Sequence, residues 1–166
     1  MLVQEGLITS EPQKGKHVRQ MTGKEIYDSY VVAGILEGAG VAESLPLWTE
    51  ANMETFRAVV RQMEGKISYA TKLDELAEID ELFHATLFMA CDNTRLVEMA
   101  RTSCATISKY LYYQHWITMF TPREYADRHH AVAEAVYSRD VKHVETALRD
   151  HYKETGLRMA QFGKEA

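Results

Sequence analysis

The chain has 166 residues, 46% apolar and 26% charged, with 9 glycines and 3 prolines. That suffices for one domain with a substantial core, and it excludes a disordered, collagen-like or low-complexity chain. The formal net charge of -5 excludes a uniformly basic nucleic-acid polycation. The charge is uneven, however: residues 1–24 carry four Lys/Arg against two Glu, so the acidic surplus lies beyond them. No uninterrupted apolar run approaches the roughly 18–20 residues of a membrane span. Met1 to Ser10 also lack the charged-then-apolar order of a signal peptide. A cytoplasmic location is expected. Cys91 and Cys104 lie in apolar, helical-looking segments and read as reduced core residues.

In chain order, Leu7-Ile8-Thr9-Ser10 and Lys16-His17-Val18-Arg19 are short β-compatible runs, separated by Glu11-Pro12-Gln13-Lys14-Gly15. Pro and Gly in the connection predict a hairpin with Lys14, Lys16 and Arg19 clustered at one end. From Gly23 onward the pattern is helical. Six helices are predicted, at about 23–44, 47–64, 71–91, 94–117, 122–138 and 141–162. Pro46 and Pro122 stand at the expected starts of the second and fifth, and Asp140 is a natural N-cap for the sixth. Short joints between long amphipathic helices predict an all-α antiparallel bundle. The expected division is residues 1–21 as a hairpin appendage and residues 22–166 as the helical domain.

Polar residues on the apolar faces carry the chemistry. The third helix has an apolar stripe at Leu73, Leu76, Phe83, Leu87 and Cys91; Asp80 sits in it, and His84 follows one turn later. In the fifth helix, Tyr125, His129, Val132 and Val136 recur at helical spacing. In the sixth, His151 lies mid-stripe among Val144, Leu148, Thr155, Met159 and Phe162. Burying such groups unpaired costs several kcal/mol. Spacing leaves two readings open: histidines hydrogen-bonded within a core, or Asp80, His84, His129 and His151 sharing a divalent cation. One carboxylate with three imidazoles suits a borderline ion, zinc first and nickel second, better than Mg²⁺ or Ca²⁺. His130 reads as a packing or supporting residue, and His17, His115 and His143 as uninvolved. Ser103, Ser108, Tyr110, Tyr113 and Gln114 on the fourth helix are candidates to line a polar cavity. No Gly-rich phosphate loop, HExxH, Cys-x2-Cys or nucleophile elbow is present.

These residues also carry a resemblance. Leu7-Ile8 through Val18, followed by a long helix with Leu36-Glu37-Gly38, resembles the end of the winged helix-turn-helix of GntR-type transcription regulators, running into their FadR-type C-terminal (FCD) effector domain. Asp80-Glu81-Leu82-Phe83-His84 with Asn93 is similar to that domain's D-x-x-F-H…N segment, and His129, Asp140 and His151 match its later spacing. The resemblance covers essentially the whole chain. It implies a helical bundle holding a metal through Asp80, His84, His129 and His151, a small organic acid as effector, a homodimer, and operator DNA bound through the full-length protein. The basic residues Lys14, Lys16 and Arg19 would then be wing contacts to DNA. Most of the DNA-binding domain is expected to precede Met1, so the chain reads as a fragment. Many members also carry an effector-binding Arg where this chain has Ala33, so either Arg101 or the metal meets an effector carboxylate, with Ser103, Tyr110 and Gln114 as further effector contacts, or the effector is not a typical carboxylate. The rival readings are a metal-dependent hydrolase or oxygenase using the same four residues, and a purely structural bundle.

Overall fold

A computed structural model describes residues 7–11 and 15–165. Strands β1 (Ile8–Glu11) and β2 (Gly15–Val18) pair antiparallel, with Ile8 opposite Val18. The expected hairpin is therefore present, while its tip residue Lys14 lies outside the described residues. Helices α1 (Gly23–Ser44), α2 (Glu50–Ile67), α3 (Ala77–Leu87), α4 (Thr94–Ser103), α5 (Tyr113–Trp116), α6 (Pro122–Ser138) and α7 (Val141–Ala160) follow. The fold is all-α, as expected.

Local chemistry sets the helix starts. Thr22, Thr49 and Thr121 each accept a bond from the backbone N–H three residues on, and Glu25, Asn52 and Glu124 accept one back. Asp140 caps α7 through the His143 N–H, and Arg139, at φ 53, ends α6 in the left-handed region. The Thr49 box explains why α2 begins at Glu50 and not at 47: Pro46 belongs to a short 3-10 turn, Leu45–Leu47, that prolongs α1. The third predicted helix is also shorter, with a 3-10 turn at Leu73–Leu76 before α3, and Cys91 falls in the coil beyond it. Both cysteines are free, as expected, but only half-buried.

The largest departure lies in the fourth predicted helix. It breaks into α4, a π-helical stretch at Thr106–Leu111, and the single turn α5. Within it the Tyr112 N–H donates to the Ile107 carbonyl at 2.9 Å, a turn closed over five residues.

Helix α1 lies along α7 with α4 on its other side; α2 packs on α3, and α6 beside α7. Within Gly23–Leu47 an 18-residue window reaches a mean hydropathy of 1.2, long and apolar enough to cross a membrane, which counting uninterrupted runs passes over. Half of it is buried against the other helices. The α1–α7 approach is close because a Cβ on Gly34 would stand 2.8 Å from the Tyr152 Cβ, and one on Gly156 would stand 2.8 Å from the Tyr30 Cβ. One core cluster, including Phe56, Phe83, Leu87, Val132 and Leu148, fills the body of the bundle. A smaller one joins Met21, Ile26, Tyr30, Ile107 and Met159 at the hairpin end.

Gly34→Ala should lower the unfolding free energy, and with it the denaturation midpoint, by about 1–3 kcal/mol for overpacking at the α1–α7 seam, which outweighs the up to ~1 kcal/mol by which Ala favours a helix over Gly. A midpoint equal to or above wild type would show that the seam yields freely.

Candidate metal centre and ligand cavity

Of the four candidate ligands the three histidines form one group, and Asp80 borders it at His129 and His84. Asp80 and His84 sit one turn apart on α3, His129 comes from α6 and His151 from α7. Each of the three histidines offers a ring nitrogen, all within 4.8 Å of one another, and their ring centroids are 4.8 to 5.6 Å apart. Asp80 Oδ1 lies 3.1 Å from His129 Nε2 and 4.0 Å from His84 Nε2.

Bonds on the far sides of the rings orient them. His129 Nδ1 is 2.8 Å from the Tyr125 carbonyl, which can only accept, so Nδ1 carries the proton. A neutral His129 then turns the lone pair of Nε2 toward a carboxylate oxygen 3.1 Å away, which is repulsive unless a cation lies between. Burial keeps His129 below the usual histidine pKa in spite of Asp80, so a proton is a poor cation there. His84 Nδ1 is held at 2.7 Å by Glu37 Oε1, and Glu37 Oε2 accepts from the Tyr152 hydroxyl at 2.7 Å. Burial opposes charge on His84, but Glu37 and then Asp80 outweigh it and raise its pKa to about 9. Asp80 stays below the ordinary carboxylate range, because His129 and His84 overcome the cost of its burial. His151, desolvated and beside His129, Arg128 and His84, is driven well below the usual value. Its Nδ1 is buried without a hydrogen-bond partner. With His84 protonated, the acceptors left without a proton are His129 Nε2, His151 Nδ1 and the Asp80 carboxylate, and that donor set fits a borderline transition metal.

A cavity of about 260 Å³ opens over these residues. Tyr30, Phe88, Cys104, Trp116 and Phe120 also line it, as do three cationic side chains, Arg101, Lys109 and Arg128. The Tyr30 and Tyr125 hydroxyls lie near Ser108 and Asp80 but in geometry that leaves both without a formed hydrogen bond. Burial of Cys104 pushes its thiol up to about 12, so it contributes a neutral S–H.

Arg128 is the residue that the single-file stripes miss. It precedes His129 and lies one helical turn after Tyr125, so it borders the same face. Its Nη2 donates to the His151 carbonyl and to Thr155 Oγ1 at 2.6 and 2.7 Å, and the guanidinium rests 4.0 Å over the Phe120 ring. Nη1 lies 3.3 Å from Glu154 Oε2, without hydrogen-bond geometry. Burial lowers its pKa to about 10, which leaves it charged at neutral pH.

Of the residues expected to meet an effector, Arg101 lines the cavity, whereas Ser103, Tyr110 and Gln114 do not. Ser103 donates to the Met99 carbonyl, and Tyr110 and Gln114 are exposed. Ser108 and Tyr113, also expected on the cavity wall, do line it, together with Lys109 and Trp116, while the π-turn, which widens the helix by one residue, turns Tyr110 and Gln114 away. Ala33 is fully buried and offers nothing polar. His130 faces Glu64 at 3.2 Å, away from the cluster. On the hairpin, Lys16 is exposed, while Arg19 pairs with Glu25 at 3.2 Å.

Fold and site define a class: a helical bundle whose centre is a carboxylate–imidazole cluster at the foot of a cavity bordered by cations. The family model described as the FCD domain matches residues 28–154. Among curated proteins, the HTH-type transcriptional repressor RspR of Escherichia coli (strain K12) is 24% identical over 99% of this chain and 71% of its own length. The uncharacterized HTH-type transcriptional regulator YdfH of Shigella flexneri matches to the same extent. Among solved structures, a GntR family member from Pseudomonas syringae pv. tomato str. DC3000 aligns with a TM-score of 0.68 at 19% identity, over 97% of this chain and 66% of that one. Escherichia coli McbR/YncC aligns with a TM-score of 0.76 at 15% identity, over 97% and 76%. The chain belongs to the FCD-domain family. It spans 66% to 76% of the length of these relatives.

Tyr152→Phe strips Glu37 of a donor while keeping the ring, so denaturant unfolding should show a loss of about 1–3 kcal/mol. Tyr69→Phe, at a residue 68% exposed, should stay within about 0.5 kcal/mol. Equal effects would mean that the buried carboxylate gains nothing from Tyr152.

Proposed function

We propose that this chain is the ligand-sensing part of a cytoplasmic transcription regulator. Asp80, His84, His129 and His151 would hold one divalent transition metal, zinc first and nickel second. The ion would supply a Lewis-acidic anchor for an oxygen of the effector. The observation that carries this reading is His129: its Nδ1–H is committed to the Tyr125 carbonyl, and its Nε2 is aimed at Asp80.

The effector is read as a small organic acid. Arg128 and Arg101 replace the arginine that Ala33 does not provide, and the unpaired hydroxyls of Tyr30 and Tyr125 await an oxygen-bearing ligand. Residues 1–21 are read as the wing of a DNA-binding domain, with Lys14, Lys16 and Arg19 near the phosphate backbone. Such a wing positions without reading sequence, so operator recognition belongs to the full-length protein, as a homodimer. The naming of RspR as a repressor supports a sensor over an enzyme.

Purified chain should carry near-stoichiometric metal by elemental analysis, and His129→Ala should lose it. Full retention in that variant would remove His129 from the centre. Within a panel of small mono- and dicarboxylates, the effector should stabilise the metal-loaded chain by about 2.7 kcal/mol at one hundred times Kd, read as a rise in melting temperature. Arg128→Gln should abolish most of that shift while retaining metal. A shift unchanged by the substitution would place the acid elsewhere.

A further inference from the structure

We propose that the π-helical segment Thr106–Leu111 is a relay that transmits the state of the cavity to the junction between hairpin and bundle. This rests on the sensing role proposed above and adds the route by which occupancy leaves the site.

At one end of the route, Ser108 and Lys109 lie within the π segment and line the cavity, as do Tyr113 and Trp116 just beyond it. At the other end, the segment's C-cap residue, Tyr112, reaches the residue that leads into α1. The Met21 N–H donates to the Tyr112 hydroxyl at 3.0 Å, and that hydroxyl lies 3.2 Å from the Met21 carbonyl, placed to donate back. The same carbonyl accepts from the Lys164 N–H at 2.9 Å, and Thr22 and Lys164 form a parallel bridge. The chain's C-terminal stretch is fastened to the same stem, for His115 stacks on Phe162 with centroids 4.0 Å apart. Apolar packing completes the connection: Met21, Ile26, Tyr30, Ile107 and Met159 form one buried cluster, with Cys104, Tyr112, Trp116 and Tyr152 against it. Tyr30, Cys104, Trp116 and Tyr152 are themselves cavity wall.

The π-turn supplies what a relay requires, an element with two discrete arrangements. Closing over five residues, it holds one residue more than an α-turn and is the less favoured geometry. Releasing that residue turns the following side chains by about 100° and slides the backbone by about 1.5 Å. Tyr112, Tyr113 and Trp116 all lie downstream of that step. A ligand that favours one arrangement therefore changes the hold of Tyr112 on Met21, two residues from the hairpin strand's neighbour Arg19.

The test reads amide hydrogen exchange at Lys164, whose bond to Met21 reports whether the junction is closed, in wild type and Tyr112→Phe. Zn²⁺ binding is followed by calorimetry in both. A metal-free arm uses Ser108→Phe, which fills the cavity from the π segment, with the Met63 amide as a control for global folding. In wild type, both Zn²⁺ and Ser108→Phe should change Lys164 exchange by roughly fivefold, the size of one net hydrogen bond. In Tyr112→Phe, Zn²⁺ should bind with unchanged affinity, and both responses should fall below about twofold. Responses that persist without the hydroxyl, or Zn²⁺ binding that leaves wild-type Lys164 unmoved, overturn the relay. Failure of Zn²⁺ to bind wild type overturns the metal reading instead, and the Ser108→Phe arm then decides the relay alone.

Discussion

Three imidazoles and a carboxylate sharing one largely buried volume demand positive charge, which the protonated His84 supplies in part. Each accepts hydrogen bonds in its neutral or basic form, and the outward-facing nitrogens of His84 and His129 are already committed to Glu37 and to the Tyr125 carbonyl. Only the inward nitrogens remain adjustable, and they face one another and Asp80. The rest of the structure serves this demand. The α1–α7 seam is tight enough at Gly34 and Gly156 to bring Glu37 from α1 against His84 and Tyr152. Phe83 walls off the cluster, its ring 5.0 Å from that of His129.

Much of this was legible in the sequence because α-helical spacing is rigid. Asp80 and His84 at i, i+4, the Tyr125–His129 step, and His151 between Leu148 and Thr155 each define a face, and faces of packed helices converge. The hairpin was legible for a similar reason, since Pro and Gly interrupt two β-compatible runs. The single-file stripe was too narrow a template, however. A helix packed on two sides buries a wider arc, so Arg128 beside His129 and Tyr152 beside His151 belong to the site as well. On α3, Ile79 and not Asp80 completes the fully buried row with Leu76, Phe83 and Leu87. Asp80 lies one position over, open to the cavity.

The π-turn had no such signal. It answers to no run of breakers, so a uniform 3.6-residue period carried past Cys104 keeps Ser108 and Tyr113 on the cavity but wrongly adds Tyr110 and Gln114. Cys91 departs from the core for a different reason: α3 stops at Leu87, and tight turns occupy the residues between it and α4.

One contact at the mouth of the cavity has a kinetic meaning. Lys109 and Glu81 both border the opening and pair at 2.9 Å, each half or more exposed. A pair so accessible is worth at most about 1 kcal/mol. An anion arriving there finds its cation engaged and must trade places with Glu81, whereas an uncharged molecule gains nothing from the exchange.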